Sequence, residues 1–433
     1  MRLGIETTAL TAKSSVDADI LVRSILFVCA FLLVWVTFRP FQSLADPPHQ
    51  ISEGGDWLNQ IGFLVFFLVF AAWAYANDIR KLRPLLSPVL IATLMWFALC
   101  VVTSWEPALS ARRLAFTLIV ISISAVTLQL PKNLRHFSDL LAVSTLIVLA
   151  LCYFGVLFLP DVAVHQAGDF LEPEHEGSWR GVFSHKNEAG ATMAIFILIG
   201  LFVARVRNIA LGGTIVALST IFLVMSQSKT SLLVLPLVMI VCAGIRRMRS
   251  YRAAILGAVG GLVLFNMFTI GSIYFEPVQE LLRLIIADTS FTGRTDIWKF
   301  AVQELARSPI HGYGFAAFWG TPQVVYGLQD SSNWASAATD AHNAYLNLAV
   351  TVGLPGLLLI IIWLVFRPAV HFFRQIHNPG NDALAIFFLR IWLFGLYASC
   401  FESMILQQNG AVWFVFIMAV FGLHQLTFAR VRF

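Results

Sequence analysis

Long apolar runs separated by short polar segments recur along the whole chain of 433 residues. Many of these runs are close to twenty residues, the length that an α-helix needs to cross the hydrocarbon core of a bilayer. The pattern predicts an all-α polytopic membrane protein with about twelve transmembrane helices. The predicted spans are approximately 20–38, 57–76, 87–104, 111–129, 138–158, 188–204, 209–225, 230–245, 253–274, 343–366, 383–404 and 411–428.

Two long polar segments interrupt this pattern, and we predict both as loops on the same side of the membrane. Residues 159–187 are acidic and irregular, whereas residues 275–342 are long enough to hold structure of their own. Within the second segment, apolar residues at helical spacing predict an amphipathic helix at about 294–307, ended by Ser308-Pro309. Apart from these loops, residues 1–433 are predicted to form a single transmembrane domain.

Composition and charge support this topology. The chain is 58% hydrophobic and 12% charged, about half the charge of a soluble domain. With a cytoplasmic N-terminus, 18 of the 29 Lys and Arg residues fall in cytoplasmic segments, against 10 on the other side. The positive-inside rule therefore predicts that both termini are cytoplasmic and that both long loops lie outside. It also accounts for the net charge of +5 without a nucleic-acid partner.

Three polar strings in the predicted outer segments carry basic or imidazole groups, although such segments are usually poor in Lys and Arg. They are residues 179–187 (WRGVFSHKN), 293–298 (GRTDIW) and 341–347 (AHNAYLN). If all three lie at one membrane surface, they form a site for an anionic, lipid-borne substrate.

Arg294 is predicted in the first turn of the loop helix, with Ser290 or Thr292 as the N-cap. A helix N-terminus favours an anion, and a guanidinium adds a fork that matches two phosphate oxygens. The alternative is an exposed arginine paired with Asp296.

Arg180, His185 and Lys186 precede the sixth predicted span, where Ser184 or Asn187 is the predicted helix cap. This string again places cations beside a helix N-terminus, which favours an anion site. The flanking residues of Arg180 are Trp179 and Gly181, which indicate a fixed position and close backbone approach.

Lys229 lies in residues 226–231 (SQSKTS), just before the eighth predicted span. It is a further candidate cation at a helix N-terminus, but ordinary snorkelling of a lysine at the membrane interface explains it equally well.

His342 opens the tenth predicted span and is our candidate general base. A helix N-terminus disfavours the imidazolium, which keeps the ring able to accept a proton. Asp340 is placed either to orient the ring or to raise its pKa. A hydrogen-bonded structural histidine is the alternative at this position.

No metal or other cofactor is expected. The chain has no DxD pair of the kind that holds a metal-bound nucleotide sugar, no Walker A string and no Gly-rich dinucleotide motif. The acidic group in the first loop is better explained as a solvated segment than as a set of metal ligands. Its members are Glu172, Glu174, His175 and Glu176.

These residues resemble the motifs of the O-antigen ligase and polysaccharide polymerase superfamily of bacterial envelopes. The resemblance covers most of residues 175–425, and the form of its first motif is similar to exopolysaccharide polymerases of the succinoglycan type. The shared strings are Arg180-Gly181-Val182-Phe183, His185-Lys186-Asn187, residues 226–231, Gly293-Arg294, Pro309 with Gly312-Tyr313-Gly314-Phe315, Ala341-His342-Asn343 with Tyr345-Leu346, Gly353-Leu354 and Glu402-Ser403.

The resemblance implies a metal-independent, inverting glycosyltransferase with a GT-C-like fold in the bacterial inner membrane. Its donor would be an oligosaccharide on undecaprenyl pyrophosphate at the periplasmic face, and its acceptor a growing glycan. Arg180 and Arg294 would hold the pyrophosphate, and His342 would take the proton from the acceptor hydroxyl. The predicted substrate-binding residues are Lys186, His185, Lys229, Asn343 and Tyr313. A chain-length co-polymerase is a further expected partner, besides membrane lipids.

Two other functions compete with a polymerase. An O-antigen ligase would use the same chemistry and transfer the glycan to lipid A-core instead. A lipid-linked glycan transporter would place its key polar residues near the bilayer midplane, whereas here they cluster in the outer loops. Among the loop aromatics, Phe318, Trp319 and Trp334 are predicted either to stack on sugars or to anchor the membrane interface.

Overall fold

The computed structural model describes residues 3–45, 56–170, 173–248, 250–285, 291, 293–327, 335, 338–375, 382–407 and 410–428. Within these residues the chain is helical, and the only β-type pairing is an isolated bridge between Val164 and Trp179. The prediction of an all-α fold is therefore confirmed for the described part of the chain.

Sixteen α-helices follow one another along the described chain, joined by turns and short 3₁₀ or π segments. They are α1 (Leu3–Trp35), α2 (Trp57–Ala76), α3 (Pro88–Val102), α4 (Pro107–Thr127), α5 (Leu134–Phe158), α6 (Pro160–Ala163), α7 (Lys186–Val206), α8 (Ile209–Met225), α9 (Lys229–Arg247), α10 (Tyr251–Phe268), α11 (Glu276–Ile285), α12 (Arg294–Arg307), α13 (Ala344–Ile361), α14 (Arg367–Gln375), α15 (Asp382–Ala398) and α16 (Ala411–Phe428).

Eight helical segments of the described chain are long and apolar enough to cross a membrane, and a bent pair would add a ninth. The chain is thus a multi-pass membrane protein by the length and composition of its helices. The eight segments are Asp17–Trp35, Trp57–Ala76, Pro107–Thr127, Leu134–Phe158, Lys186–Val206, Lys229–Arg247, Leu256–Ile273 and Ala344–Phe372.

The predicted number of twelve spans is not confirmed, although a helix lies at each predicted position. Helix α8 and the apolar part of α16 are shorter than a full span, and α15 ends at Ala398 rather than at residue 404. Helix α3 has only 15 residues and is bent by 83° from the 3₁₀ helix Ile79–Leu85. For α3 and α15, the predicted apolar runs extend past the helix ends because they include residues of the adjoining turns.

Helix α7 lies at the centre of the fold, and 78% of its apolar membrane-spanning stretch is buried inside the protein. It packs against α5, α8, α9, α15 and α16. A Cβ atom on Gly212 would lie 2.3 Å from the main-chain nitrogen of Ala204, so this glycine permits the close approach of α8. The residues at the start of α7 are therefore held by several neighbouring helices.

Helix α13 is kinked at Gly353, which has φ = 70°. Pro355 has no N–H to donate to the carbonyl of Thr351, four residues earlier. That carbonyl instead accepts a hydrogen bond from Gly314 N–H at 3.0 Å, and the carbonyl of Val350 accepts one from Tyr313 N–H at 3.1 Å. The kink thereby fastens the second loop, residues 275–342, to the middle of α13.

The second loop has an apolar core of its own between α12 and α13. Trp298, Phe318 and Trp319 are buried there, together with Leu346 of α13. The amphipathic helix α12 therefore packs against the start of α13, where His342 lies.

Candidate active site

Arg294 is the first residue of α12, and its guanidinium reaches the turn that follows α15. The preceding residue is Gly293 at φ = 83°, which makes no side-chain cap. Gly293 occupies the N-cap position, and the two predicted caps, Ser290 and Thr292, lie outside the described residues. Arg294 Nη2 donates to Glu402 Oε1 at 2.8 Å, and Nη1 donates to the carbonyl of Phe401.

The alternative prediction, an exposed Arg294 paired with Asp296, is wrong. Asp296 pairs with Lys299 at 3.4 Å, one helical turn along α12, and both side chains are about half exposed. Arg294 is only 18% exposed, so its contact with Glu402 is partly shielded from water, which strengthens it.

His342 is held by main-chain contacts on both sides. Trp298 Nε1 donates to the carbonyl of Ala341 at 2.9 Å, and Ala344 N–H donates to the carbonyl of Ser399 at 2.8 Å. His342 itself has φ = 46°, in the left-handed region that costs energy for a residue other than glycine. Its N–H donates to Asp340 Oδ1 at 2.6 Å, which helps to hold this conformation.

The ring of His342 faces Glu402 with its Nδ1 atom, which lies 3.5 Å from Glu402 Oε2. Nδ1 is buried and has no hydrogen-bond partner among the described residues, so its approach to Glu402 is electrostatic, whereas the side chain as a whole remains 31% exposed. The accessible part of the ring is therefore the edge that carries Nε2. A carboxylate that faces Nδ1 favours the tautomer with its proton there and leaves the Nε2 lone pair available.

Glu402 thus joins residues from three distant parts of the chain, with Arg294 and Asn187 on Oε1 and His342 on Oε2. Asn187 Nδ2, in the first turn of α7, donates to Oε1 at 3.0 Å. We call these four residues the Glu402 cluster. It brings together one residue from each of the three polar strings that the sequence singles out.

The electrostatics of the Glu402 cluster favour the ionised pair. Burial alone would raise the pKa of Glu402, but Arg294 and the contact with His342 outweigh it and hold that pKa well below its usual range. For His342, burial opposes protonation, yet Glu402 and Asp340 raise its pKa above the ordinary value. The lowering of the His342 pKa that was expected from the helix start is therefore outweighed, because two carboxylates face the ring.

The first turn of α7 is capped by histidines rather than by the predicted Ser184 or Asn187. His185 is the N-cap, and its Nδ1 accepts a hydrogen bond from Asn187 N–H at 3.1 Å. His165 Nε2 accepts from Lys186 N–H at 3.2 Å. The side chain of Ser184 instead donates to Glu188 Oε2 at 2.7 Å.

Arg180 is 1% exposed, and its guanidinium donates to the main-chain carbonyls of Phe183 at 3.2 Å and Gln42 at 2.5 Å. Its Nε atom is buried without a hydrogen-bond partner among the described residues. Burial lowers the pKa of Arg180. Its position is fixed, as Trp179 and Gly181 indicate, but its described polar contacts do not include the Glu402 cluster.

The two predicted lysines lie at helix starts. Lys186 is half-buried at the beginning of α7, and Lys229 is the exposed first residue of α9. The serine string that contains Lys229 packs against α7, since a Cβ atom on Gly190 would lie 2.3 Å from Ser228 Cβ.

Asn343 and Tyr313 use their polar groups within the protein. Asn343 is fully buried and caps α13, accepting from Tyr345 N–H and Leu346 N–H at 3.0 Å each. The hydroxyl of Tyr313 donates to Glu304 Oε2 at 2.8 Å. Both contacts support the frame around His342.

Two of the three aromatic residues singled out in the second loop are buried in the protein. Phe318 and Trp319 are buried, and Trp319 Nε1 donates to Asn347 Oδ1 at 2.6 Å. Neither ring is therefore open to a sugar or to the membrane interface in this structure, while Trp334 lies outside the described residues.

Three histidines form a second group beside the start of α7, which we call the histidine cluster. The ring centroids of His165, His175 and His185 lie 5.2–5.8 Å apart. Of the acidic residues that accompany His175 in the sequence, Glu172 lies outside the described residues. Among the residues that are described, no three His, Cys, Asp or Glu side chains are arranged to hold a metal ion.

Glu402 belongs to one of the shared sequence strings, but no local pattern connects it with Arg294. No sequence pattern singled out His165. Glu402 is separated from Arg294 by 108 positions and from Asn187 by 215. The available signal was a carboxylate near the outer end of an apolar segment, where an unpaired charge is costly.

Two comparisons with known proteins include part of this site. Residues 214–361 match the family described as O-Antigen ligase. This segment is similar to that family. It contains Lys229, Arg294 and His342, so two of the four residues of the Glu402 cluster lie inside it.

The chain is also similar to the exopolysaccharide production protein ExoQ of Rhizobium meliloti (strain 1021). The two are 29% identical over 202 residues, which is 43% of this chain and 45% of the relative. The aligned part thus spans less than half the length of the curated relative. Together, the two matches confirm the predicted resemblance to O-antigen ligases and exopolysaccharide polymerases.

Proposed function

We propose that this protein is an inner-membrane glycosyltransferase that joins oligosaccharide repeat units into an exopolysaccharide at the periplasmic face. The donor is a repeat unit on undecaprenyl pyrophosphate, and the acceptor is the growing glycan. The observation that carries the proposal is the Glu402 cluster, in which a candidate phosphate-binding arginine and a candidate base meet on one carboxylate. The similarity to ExoQ, an exopolysaccharide production protein, supports an exopolysaccharide as the product.

His342 acts as the general base in this mechanism. Glu402 keeps the ring proton on Nδ1, so Nε2 takes the proton of the acceptor hydroxyl. The acceptor oxygen forms a bond to the anomeric carbon of the donor from the face opposite the pyrophosphate. The bond from that carbon to the phosphate oxygen breaks, and undecaprenyl pyrophosphate leaves with the electron pair.

Arg294 stabilises the leaving group. Its guanidinium has five N–H donors, and two of them are used by Glu402 and by the carbonyl of Phe401. The others have no partner among the described residues, and we propose that they bind the two oxygens of a phosphate, whose negative charge grows as the bond breaks. The lipid-linked pyrophosphate is itself an activated leaving group, so the proposed reaction uses neither a nucleotide nor a metal.

Arg180 remains a predicted pyrophosphate ligand through the resemblance, and Lys186 and Lys229 remain predicted cations near the same anion. The predicted binding roles of His185, Asn343 and Tyr313 also rest on the resemblance. In the structure these three residues contribute a helix cap, a second helix cap and a buried hydrogen bond.

A ligase is the second candidate, because the matched family is described as O-Antigen ligase. It would transfer a glycan from the same donor to lipid A-core in one step. The difference lies in the acceptor and not in the chemistry of the Glu402 cluster.

The direct test is reconstitution in nanodiscs with a repeat unit on undecaprenyl pyrophosphate, and separation of the products by size. The His342→Ala protein serves as the inactive comparison. We expect a ladder at multiples of the repeat that is absent in the variant. A single transfer that requires lipid A-core would instead establish the ligase, and no transfer to either acceptor by folded protein would contradict both.

A further inference from the structure

We propose that His165, in the first loop, is a positioning residue for the proposed glycosyl transfer. It holds the first turn of α7, and through Asn187 it keeps Glu402 in the orientation that Arg294 and His342 share. This inference rests on the proposed function. It extends the site from the Glu402 cluster to a histidine that makes no described contact with that cluster.

The ring of His165 is fixed at both nitrogens. The side chain is 1% exposed; Nδ1 lies 2.8 Å from Asp169 Oδ2 and Nε2 lies 3.2 Å from Lys186 N. Because Nε2 accepts from a main-chain N–H, the proton of the neutral ring lies on Nδ1 and is donated to Asp169. The main chain of His165 is also held, since its N–H donates to the carbonyl of Ser178 at 2.9 Å.

The contact falls where α7 begins and where its main-chain N–H groups have no partner within the helix. Two imidazoles satisfy successive groups here, with His165 on Lys186 N–H and His185 on Asn187 N–H. The side chain of Asn187 then donates to Glu402 Oε1 at 3.0 Å. The path from His165 to Glu402 thus consists of one hydrogen bond, one residue of helix and a second hydrogen bond.

The charged and titratable groups that face His165 are Asp169, His175, His185 and Arg180. Burial is the largest influence and lowers the pKa of His165 to about 4, although Asp169 opposes this shift. The ring is therefore neutral near pH 7, and Nε2 remains an acceptor for Lys186 N–H.

The test compares His165→Phe with His165→Gln in the reconstituted transfer reaction. Phenylalanine fills the space but offers no acceptor, whereas the amide oxygen of glutamine reaches the place of Nε2. We expect His165→Phe to lower kcat by up to about a hundredfold, the scale of a small misplacement of catalytic groups, with KM for the donor little changed. His165→Gln should recover most of the lost rate.

A pH profile distinguishes positioning from simple support of the fold. Glu402 raises the pKa of His342, and kcat should fall at low pH as His342 becomes protonated. If Glu402 is displaced in His165→Phe, this acid limb of the pH profile of kcat should move to lower pH. Asn187→Ala should produce the same shift without altering the histidine cluster. An unchanged acid limb in Asn187→Ala, or wild-type kcat in His165→Phe, would overturn the proposal.

His136→Phe is the matched control. His136 Nδ1 also accepts a main-chain N–H beside a helix start, from Lys132 at 3.3 Å, but it lies at the start of α5. We expect wild-type kcat and an unshifted acid limb. An effect equal to that of His165→Phe would refute a specific role for His165.

Amide hydrogen exchange gives a readout that does not depend on activity. Peptides covering residues 184–190 should exchange faster in His165→Phe than in His165→Gln, because Lys186 N–H loses its acceptor. If the wild type makes no glycan, the proposed function fails, while this comparison still tests the contact. Equal exchange in both variants would overturn the positioning role on its own.

Discussion

The two arginines proposed for the pyrophosphate lie in differently built regions that both reach the start of α7. Arg294 donates to a carboxylate and is 18% exposed. Arg180 is 1% exposed and donates to two main-chain carbonyls. A guanidinium beside a carboxylate at a partly open position can also bind a phosphate, whereas one enclosed by carbonyls fixes the backbone around it. We therefore propose the chemical role for the Glu402 cluster and a supporting role for the buried guanidinium of Arg180, beside the pyrophosphate contact that the resemblance predicts for it.

The largest effect should come from His342→Ala. Removal of a general base costs about 10²–10⁴ in rate, while Arg294, the proposed donor ligand, remains. Single-turnover kinetics and donor binding in nanodiscs measure both quantities. A variant that turns over at the wild-type rate would remove His342 from the mechanism and with it the chemical role of its cluster.

Glu402→Gln should have the next largest effect and should change the pH dependence. The base acts when His342 is neutral, so the wild-type rate should rise with pH through the raised pKa of His342. Without the carboxylate, burial lowers that pKa, and the acid limb should move to lower pH. At high pH the rate should still fall about 10- to 100-fold because the tautomer is no longer held. An acid limb at the wild-type position would show that Glu402 does not act on His342.

The matched pair Arg294→Lys and Arg180→Lys tests the comparison itself. Lysine cannot reproduce a bidentate fork, so Arg294→Lys should lower kcat about tenfold or more, with a smaller decrease in Tm than Arg180→Lys. Arg180→Lys should instead lower the free energy of unfolding by about 1–3 kcal/mol, because buried carbonyls lose their donor. Thermal unfolding and turnover should be measured on both proteins. The reverse pattern would exchange the roles of the two regions.

The smallest effect is expected from Lys229→Ala. Its side chain is exposed at the start of α9, where solvent screens its charge. Turnover should change by less than about threefold if Lys229 only anchors the interface. A drop comparable to that of Arg294→Lys would extend the anion site to the serine string of α9.

Local chemistry explains what the sequence predicted well. The amphipathic helix of the second loop begins at Arg294 and ends at Arg307. These bounds were predictable because the apolar periodicity and the following Ser308-Pro309 lie within or directly beside the helix. The starts of α9 and α13 lie at the predicted positions for the same reason.

Contacts between distant segments account for what the sequence did not predict. Nothing near Ser184 or Asn187 shows that histidines cap α7, since His165 belongs to another part of the chain. The pKa of His342 depends on a carboxylate 60 positions away, which local patterns do not connect to it. Tyr313 and Asn343 were predicted to bind substrate, yet tertiary packing supplies partners for their polar groups.

The most direct test of the account is a double-mutant cycle between Glu402→Gln and His342→Ala in single-turnover transfer. If Glu402 acts through His342, the double variant should lose less rate than the product of the two single losses. The expected interaction energy is about 0.5–3 kcal/mol. Losses that multiply fully would mean that the two residues act independently, which would contradict the Glu402 cluster as one catalytic unit.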